Sequence, residues 1–402
     1  MDHTKESRIV MTLDAGGTNF EFSAIRGMKE CVQPITFPSE SHDLDRCLGN
    51  ILRGFETIKK QLDAPPAAIS FAFPGPADYI NGIIGDLGNL PAFRGGVALG
   101  PMLEDHFGLP VFINNDGDLF AYGEAMHGFL PELNHKLEQS GSRRRFRNLI
   151  GLTLGTGFGG GIVRNGELFL GDNGAAGEVW LLRNSSDPDV FAEEHISARA
   201  VTREYLVAAG ESAFGAHSPA GEGNTVGAES PAAGGNPAGG GGPAVPTALD
   251  VYRIATGASP GNREAALQAF RKLGQALGAA LADVLTVIDA PVVIGGGLSN
   301  AWPLFFPEML RQLNGHFTMA DGSRVPRLEV NAYNMEDPES LSTFTSGEAR
   351  MVQVPFSGRE VSYDPAKSIA VGVSRLGTSK AVALGAFAFA LHANRPQPNF
   401  HP

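Results

Sequence analysis

The sequence lacks the features that mark several protein classes. It has 2 cysteines in 402 residues, Cys31 and Cys47, too few for a disulfide framework or a four-cysteine zinc site. A reducing cytoplasm suits such a chain. Lys and Arg number 31 against 43 acidic residues, a formal net charge of −12. An acidic chain is a poor ligand for a phosphate backbone, so no nucleic-acid partner is expected. No apolar run is long. The longest, Ala381 to Leu391, has 11 residues, about half of the ~20 that cross a bilayer. Met1 to Ser7 also lacks the apolar core of a signal peptide, and a soluble protein with no membrane partner is expected. There is no Gly-x-x-x-x-Gly-Lys-Ser/Thr, which excludes a P-loop.

Apolar residues are plentiful at 43%, enough to bury a large core, and glycine is abundant at 52 residues. Arg8 to Asp14 reads as a strand, Ala15-Gly16-Gly17-Thr18-Asn19 as a turn, and Phe20 to Ile25 as a second strand. Leu44, Leu48, Ile51, Leu52, Phe55, Ile58 and Leu62 have helical spacing. Strands follow at Ala68 to Phe73, stopped by Pro74-Gly75-Pro76, and at Val111 to Ile113; a helix is expected from Asp116 to about His127. The opening then recurs: Leu149 to Leu154 is a strand, Gly155-Thr156-Gly157-Phe158-Gly159-Gly160 a turn, and Gly161 to Arg164 a second strand. Two halves that each begin strand, glycine turn, strand suggest duplication around a cleft. Further on, Leu267 to Val287 reads as a helix, Pro291 to Ile294 as a buried strand before Gly295-Gly296-Gly297, and Lys380 to His392 as a closing helix. Between 208 and 247, Gly, Ala and Pro supply 26 of 40 residues, too little apolar surface to fold alone, so a flexible insertion is expected. Residues 320–368 read as a second, irregular insertion.

Gly155, Gly157 and Gly160 satisfy Gly-x-Gly-x-x-Gly, but the dinucleotide fingerprint needs a helix next. Here a strand and an Asn165-Gly166 turn follow. What remains is a pair of hairpin turns rich in backbone N–H groups, which can form an anion nest, with Thr18, Thr153 and Thr156 as added donors. Each turn alone could be an ordinary hairpin; two of them with a third at 295–297 favour a nucleotide. Asp14, at a strand end, is placed to hold Mg²⁺, which takes few carboxylates and several waters. Asp116 begins a helix after a strand, where an Asp serves either as an N-cap or as a general base kept ionised by the helix terminus.

The ordered set Asp14-Ala15-Gly16-Gly17-Thr18-Asn19, Pro74-Gly75-Pro76, Asn89-Leu90-Pro91, Asn115-Asp116 with Gly123-Glu124, Leu154 to Gly161, Gly177-Glu178, Gly295-Gly296-Gly297-Leu298-Ser299 and Leu376-Gly377 through Ala386 resembles the ROK sugar kinases. The resemblance covers roughly 8–200 and 265–392. It implies an α/β, two-domain actin-like (ribonuclease H-like) sugar kinase fold with a central cleft. Residues 1–130 would form the first domain, with 380–395 packing back on it, and residues 131–379 the second, which would carry the adenosine site. It also implies ATP and Mg²⁺ in the cleft and transfer of the γ-phosphate to a sugar hydroxyl of hexose or hexosamine type. Asp116 then matches the catalytic base, and Asn89, Asn115, Glu178 and Glu193 match sugar ligands. Asp14, Gly16, Gly17, Thr18, Asn19, Gly155, Thr156, Gly157, Gly295, Gly296 and Gly297 would serve the nucleotide, with Asp14 at the metal. A homodimer is suggested by the resemblance.

The pattern is broken at defined places. Many members continue Gly-Glu-x-Gly-His; here Leu181 stands in the histidine's place, Phe191 stands near where a zinc-binding cysteine would be, and Asp118 replaces a frequent Asn. His195 and His217 without thiolates are a weak zinc set, so no structural zinc is expected. A non-catalytic sugar- or nucleotide-binding relative is the alternative that these departures favour. A sugar-responsive transcription regulator would carry a helix-turn-helix ahead of the first hairpin, whereas 13 residues precede Asp14.

Overall fold

A computed structural model describes residues 3–75, 77–85, 91–210 and 245–393. Most of the Gly/Ala/Pro-rich stretch, 211–244, lies outside the described residues, as do Pro76 and Asn89.

The first half builds β1 (Val10–Ala15), β2 (Asn19–Arg26), β3 (Lys29–Glu30), β4 (Ile35–Pro38), α1 (Leu44–Gln61), β5 (Ala68–Ala72), the short pair β6 (Ala77–Asp78) and β7 (Ile83–Ile84), α2 (Leu99–Phe107), β8 (Val111–Asn114), α3 (Asp116–His127) and α4 (Phe129–Gln139). The second half begins with β9 (Leu149–Leu154), β10 (Phe158–Arg164), β11 (Glu167–Leu168), α5 (Ala198–Ala209), α6 (Ala248–Thr256) and α7 (Arg263–Val287). It continues through β12 (Val292–Gly295), α8 (Trp302–Leu313), β13 (His316–Thr318), β14 (Arg324–Pro326), β15 (Asn331–Asn334), α9 (Pro338–Ser346), β16 (Arg350–Gln353), β17 (Glu360–Tyr363), β18 (Ser368–Val373) and α10 (Thr378–Ala393).

The strand orders show the duplication. The first sheet runs β3-β2-β1-β5-β8 and the second β11-β10-β9-β12-β18-β15. Each opens with an antiparallel hairpin, Asp14 opposite Glu21 in one and Leu154 opposite Phe158 in the other, and continues with parallel strands. The helix after the last equivalent strand then crosses to the other half. α3, which follows β8, packs on the second sheet, while α10, which follows β18, packs on the first. The layers therefore run α1 and α2, first sheet, α10 against α3, second sheet, and α5, α7 and α8.

Each layer follows from side-chain pattern. α1 buries Cys47, Ile51, Phe55 and Ile58 on one stripe, and its Asp43 accepts a hydrogen bond from the Arg46 N–H as N-cap. Phe22, Phe55 and Phe71 stack through the first core, with Phe22 edge-on to Phe55 at 5.1 Å. Burial pushes the Cys47 thiol up to about 12, so it behaves as a small hydrophobe. α10 is built mostly of small and aromatic apolar residues, α3 carries the buried Asp118 and Glu124 among its apolar ones, and both helices lie buried between the sheets. Their crossing depends on paired glycines. A Cβ on Gly123 would lie 1.9 Å from the Ala381 carbonyl oxygen, and one on Gly385 1.9 Å from that of Leu119. Both glycines fall at the same step of their helices, as the duplication requires.

Two expectations need correction. The second strand of the second hairpin starts at Phe158 rather than Gly161, so Phe158 to Gly160 are strand and not turn. The strand glycines are small for different neighbours: a Cβ on Gly159 would be 2.5 Å from the Thr153 hydroxyl, one on Gly160 2.8 Å from Val179, and one on Gly161 2.6 Å from the Gly117 oxygen of α3. Residues 320–368 are not irregular either. Asn331–Asn334 is an edge strand paired in parallel with β18, followed by α9 and the β16–β17 pair. Edge strands tolerate polar residues, and Asn-Ala-Tyr-Asn therefore carries no strand signal. Among the described residues, no helix is long and apolar enough to cross a membrane.

Gly123→Ala should cost about 1–3 kcal/mol or more in urea unfolding. Combined with Gly385→Ala the two losses should be less than additive, because each variant forces the same helices apart.

Candidate active site

The parallel strands of the first sheet end together. Asp14 closes β1 beside Ala72 of β5, and Ala72 pairs with Asn114 of β8. In open α/β sheets the carboxyl ends of parallel strands are where backbone groups are left free for ligands. In the first turn, the Ser39 hydroxyl donates to the Gly17 carbonyl at 2.6 Å and the Ser39 N–H to that of Thr18 at 2.9 Å. The turn's carbonyls are thus tied back, while the N–H groups of Gly16, Gly17 and Thr18 have no acceptor among the described residues. Asn19 begins β2 beside Pro38.

The second turn is gripped from outside. The Gly155 N–H donates to the Gly157 oxygen at 3.0 Å, and the Ala198 N–H to the Gly155 oxygen at 2.8 Å. Thr156 is exposed at the tip. Glu193, only 7% exposed, accepts from the Phe158 N–H at 2.9 Å and from Arg199 at 2.9 Å through its other oxygen. The residue matched to a sugar ligand therefore braces the glycine turn in this structure. The third turn rests on the end of β9. Gly296 has φ +85°, and a Cβ there would lie 2.2 Å from the Leu154 oxygen. Its N–H donates to the Thr378 hydroxyl at 2.9 Å. Gly295 ends β12, and Gly297 opens the short helix that leads into α8.

Asp116 lies between the two halves. It is the first residue of α3, and the capping role belongs to Asn115, whose Oδ1 accepts from the Gly117 N–H at 2.8 Å. Asp116 reaches the same N–H at 2.8 Å. Burial raises its carboxyl, the Gly117 and its own N–H groups oppose that shift, and the nearby Asp14 charge adds to it. Asp14 is accessible at the cleft mouth, yet the surrounding protein displaces enough water to raise its carboxyl too.

Two further groups complete the cluster. Asp118 is 4% exposed, and its Oδ1 has no hydrogen-bond partner among the described residues. Burial holds its carboxyl well above the usual range, and the Glu178 and Asp116 charges push the same way. Tyr79, which the sequence reading missed, donates to the Phe73 carbonyl at 3.0 Å and accepts from the Asn115 amide at 3.4 Å. Burial raises its phenol, and it feels the charges of Asp116, Asp118 and Glu178. The structure thus brings together Asp14, Asn115, Asp116, Asp118, Glu178 and Tyr79. A tyrosine three residues after a Pro-Gly-Pro turn carries no signal of its own, and only the fold returns it to Asn115.

At the broken pattern, Glu178 accepts a hydrogen bond from the Trp180 indole. Leu181 is 57% exposed, and Trp180 meets Phe191 edge-on at 5.5 Å. His195 bonds Asn184 through Nδ1; His217 lies outside the described residues. Among the described residues, no group of three or more His, Cys, Asp or Glu side chains is arranged to hold a metal ion.

Comparison with known proteins agrees with this architecture. The model of the ROK family matches residues 10–180. An N-acetyl-D-glucosamine kinase of Vibrio cholerae is 31% identical over 170 residues, 42% of this chain and 51% of that one, so the match spans about half of that relative. The Aliivibrio salmonicida N-acetyl-D-glucosamine kinase is 27% identical over 78% of this chain and 92% of its own. The crystal structure of a glucokinase from Parabacteroides distasonis is 48% identical, covering 98% of this chain and 99% of that one with a TM-score of 0.83. A Thermus thermophilus ROK hexokinase shares the fold at 18% identity and a TM-score of 0.62. The architecture is the two-domain α/β actin-like fold with a central cleft. With a near-complete relative at 48% identity and the family model matched through both glycine hairpins, the chain belongs to the ROK family.

Proposed function

We propose that the chain is an ATP-dependent carbohydrate kinase that transfers the γ-phosphate of ATP to a hydroxyl of a hexose or hexosamine-type sugar. The observation that carries this reading is the meeting of Asp116 and Asp14 beside a glycine turn whose N–H groups face no protein acceptor. The names of the relatives, N-acetyl-D-glucosamine kinase and glucokinase, support the same substrate class. In this reading Asn115 and Glu178 hydrogen-bond the sugar, and Asp116 accepts the proton of the attacking hydroxyl. The hydroxyl oxygen then bonds to the γ-phosphorus as the bond to ADP breaks. Phosphoryl transfer asks little of base strength and much of position, which a carboxylate fixed at a helix start supplies. The free N–H groups of Gly16, Gly17 and Thr18, with the 155–157 and 295–297 turns, would bind phosphate oxygens as charge shifts between them. Asp14 fits Mg²⁺, because this ion takes one or two carboxylates with the nucleotide's phosphates and water rather than a protein cage. Bound there, the ion would neutralise phosphate charge.

ADP release from Mg²⁺-ATP should require a sugar from a panel of hexoses, hexosamines and N-acetylhexosamines, and Asp116→Asn should lower kcat by about 10²–10⁴-fold. Turnover unchanged in Asp116→Asn would sink the reading. Because a base must be ionised and burial raises the Asp116 carboxyl, kcat/KM should fall on acidification from a pH above ~4, the ordinary aspartate value.

Asp118 generates a stability prediction of definite sign. Its carboxyl is raised in the folded state, so its contribution is most favourable below the unfolded pKa of ~4 and is lost as pH rises. Asp118→Asn keeps the shape without the charge and should raise Tm at neutral and alkaline pH, with the gain vanishing near pH ~4. A gain that instead grew on acidification would show that the buried carboxyl is stabilised as an anion.

Both Glu193 oxygens are already engaged, which supports a bracing role at the phosphate turn. Glu193→Gln should then raise KM for ATP more than KM for the sugar. The reverse pattern would make it a sugar ligand.

A further inference from the structure

Away from the cleft, the end of α8 and the β13–β14 hairpin enclose an open cavity of about 610 Å³, within the range of small-molecule sites. Its wall carries Arg311, Arg324, Arg327 and His316 with Gln312, and no carboxylate. That is notable in a chain whose net charge is −12. Arg311 is paired with Glu308. Arg324 and Arg327, by contrast, have no carboxylate partner among the described residues. Arg327 is also held in place. Its backbone N–H donates to the Gly315 oxygen at 2.9 Å, one guanidinium nitrogen donates to Gln312 Oε1 at 2.9 Å, and the guanidinium lies 5.6 Å from the Phe317 ring centroid. Its Nε is buried and has no hydrogen-bond acceptor among the described residues. A buried N–H left without a partner is costly in a free protein and is satisfied when an acceptor arrives.

We propose that this cavity binds a phosphate monoester, or phosphate itself, between Arg324 and Arg327. A planar guanidinium presents parallel donors that match phosphate oxygens. The fixed Arg327 would supply them at little ordering cost, with the more exposed Arg324 closing from the rim. His316, also exposed, adds a donor when protonated. The remaining volume suits a small phosphorylated molecule rather than a polymer, whose extended backbone the acidic surface repels. None of the wall residues belongs to the cleft cluster, so this site stands or falls independently of the kinase reading.

The test is calorimetric titration of the full chain with inorganic phosphate and, separately, with glucose 6-phosphate. Saturable binding of either is expected, weakening with added KCl. Binding of both at similar affinity locates recognition in the phosphate, and binding of the ester alone adds the sugar to it. Arg327→Gln and Arg324→Gln should each raise Kd by about tenfold or more, and kcat measured at low phosphate should stay unchanged. Because Arg327 also anchors the loop before β13, Arg324→Gln, on an exposed strand, keeps the test sound if the first variant loses Tm. Absence of saturable binding would overturn the proposal, leaving the arginines as a complement to the carbonyl end of α8. Binding that survives both substitutions would overturn it equally, because the ligand would then sit elsewhere.

Discussion

The architecture depends on one close approach, the crossing of α3 and α10 at Gly123 and Gly385. Each helix leaves its own sheet and buries against the other, so the two halves share an interior instead of meeting at a polar seam. The approach is possible because neither crossing residue has a side chain to hold the backbones apart. Its consequence reaches the site directly. With α3 seated on β9 and β10, its first residue, Asp116, comes from the first half yet stands at the edge of the second sheet. Two more glycines complete this arrangement, since Gly117 of α3 and Gly161 of β10 let the start of the helix rest on the strand itself. Packing and chemistry are therefore the same constraint seen at two ends of one helix.

The electrostatics of the cleft follow from the same burial. Asp116, Asp118 and Glu178 gather around Tyr79 with Asp14 next to Asp116; lost water raises all three aspartates, the Asp14 charge adds to the shift of Asp116, and the Glu178 and Asp116 charges add to that of Asp118. Carboxylates collected without a cation destabilise the free protein, and such an arrangement gains most from a positively charged or hydrogen-bond-donating ligand. Sugar hydroxyls and a divalent cation carried with a nucleotide both answer that need. Asp116 and Asp118 divide by environment: the first has helix N–H groups that favour its anion, and the second has an oxygen with no hydrogen-bond partner among the described residues.

Much of the fold was legible because its signals are local. Alternating apolar strands broken by glycine turns announced both hairpins, and the repeat of that unit announced two similar sheets with a cleft. Asp116 stood out by its place at a strand end before a helix. The misreadings share a different cause. The sequence reads 155–160 as one glycine turn, whereas Phe158 to Gly160 are strand, with Gly159 leaving room for Thr153 across the hairpin and Gly160 for Val179. Asn331–Asn334 reads as loop because an edge strand needs apolar side chains on neither a fixed face nor every second position. Tyr79 and the bracing role of Glu193 were invisible for the same reason: each acts through a partner that is remote in sequence, Asn115 for one and the Phe158 N–H for the other. Residue type and spacing report what a segment does to its own backbone. Which carboxylate faces a ligand and which grips a turn is decided by the packing of helices across the cleft.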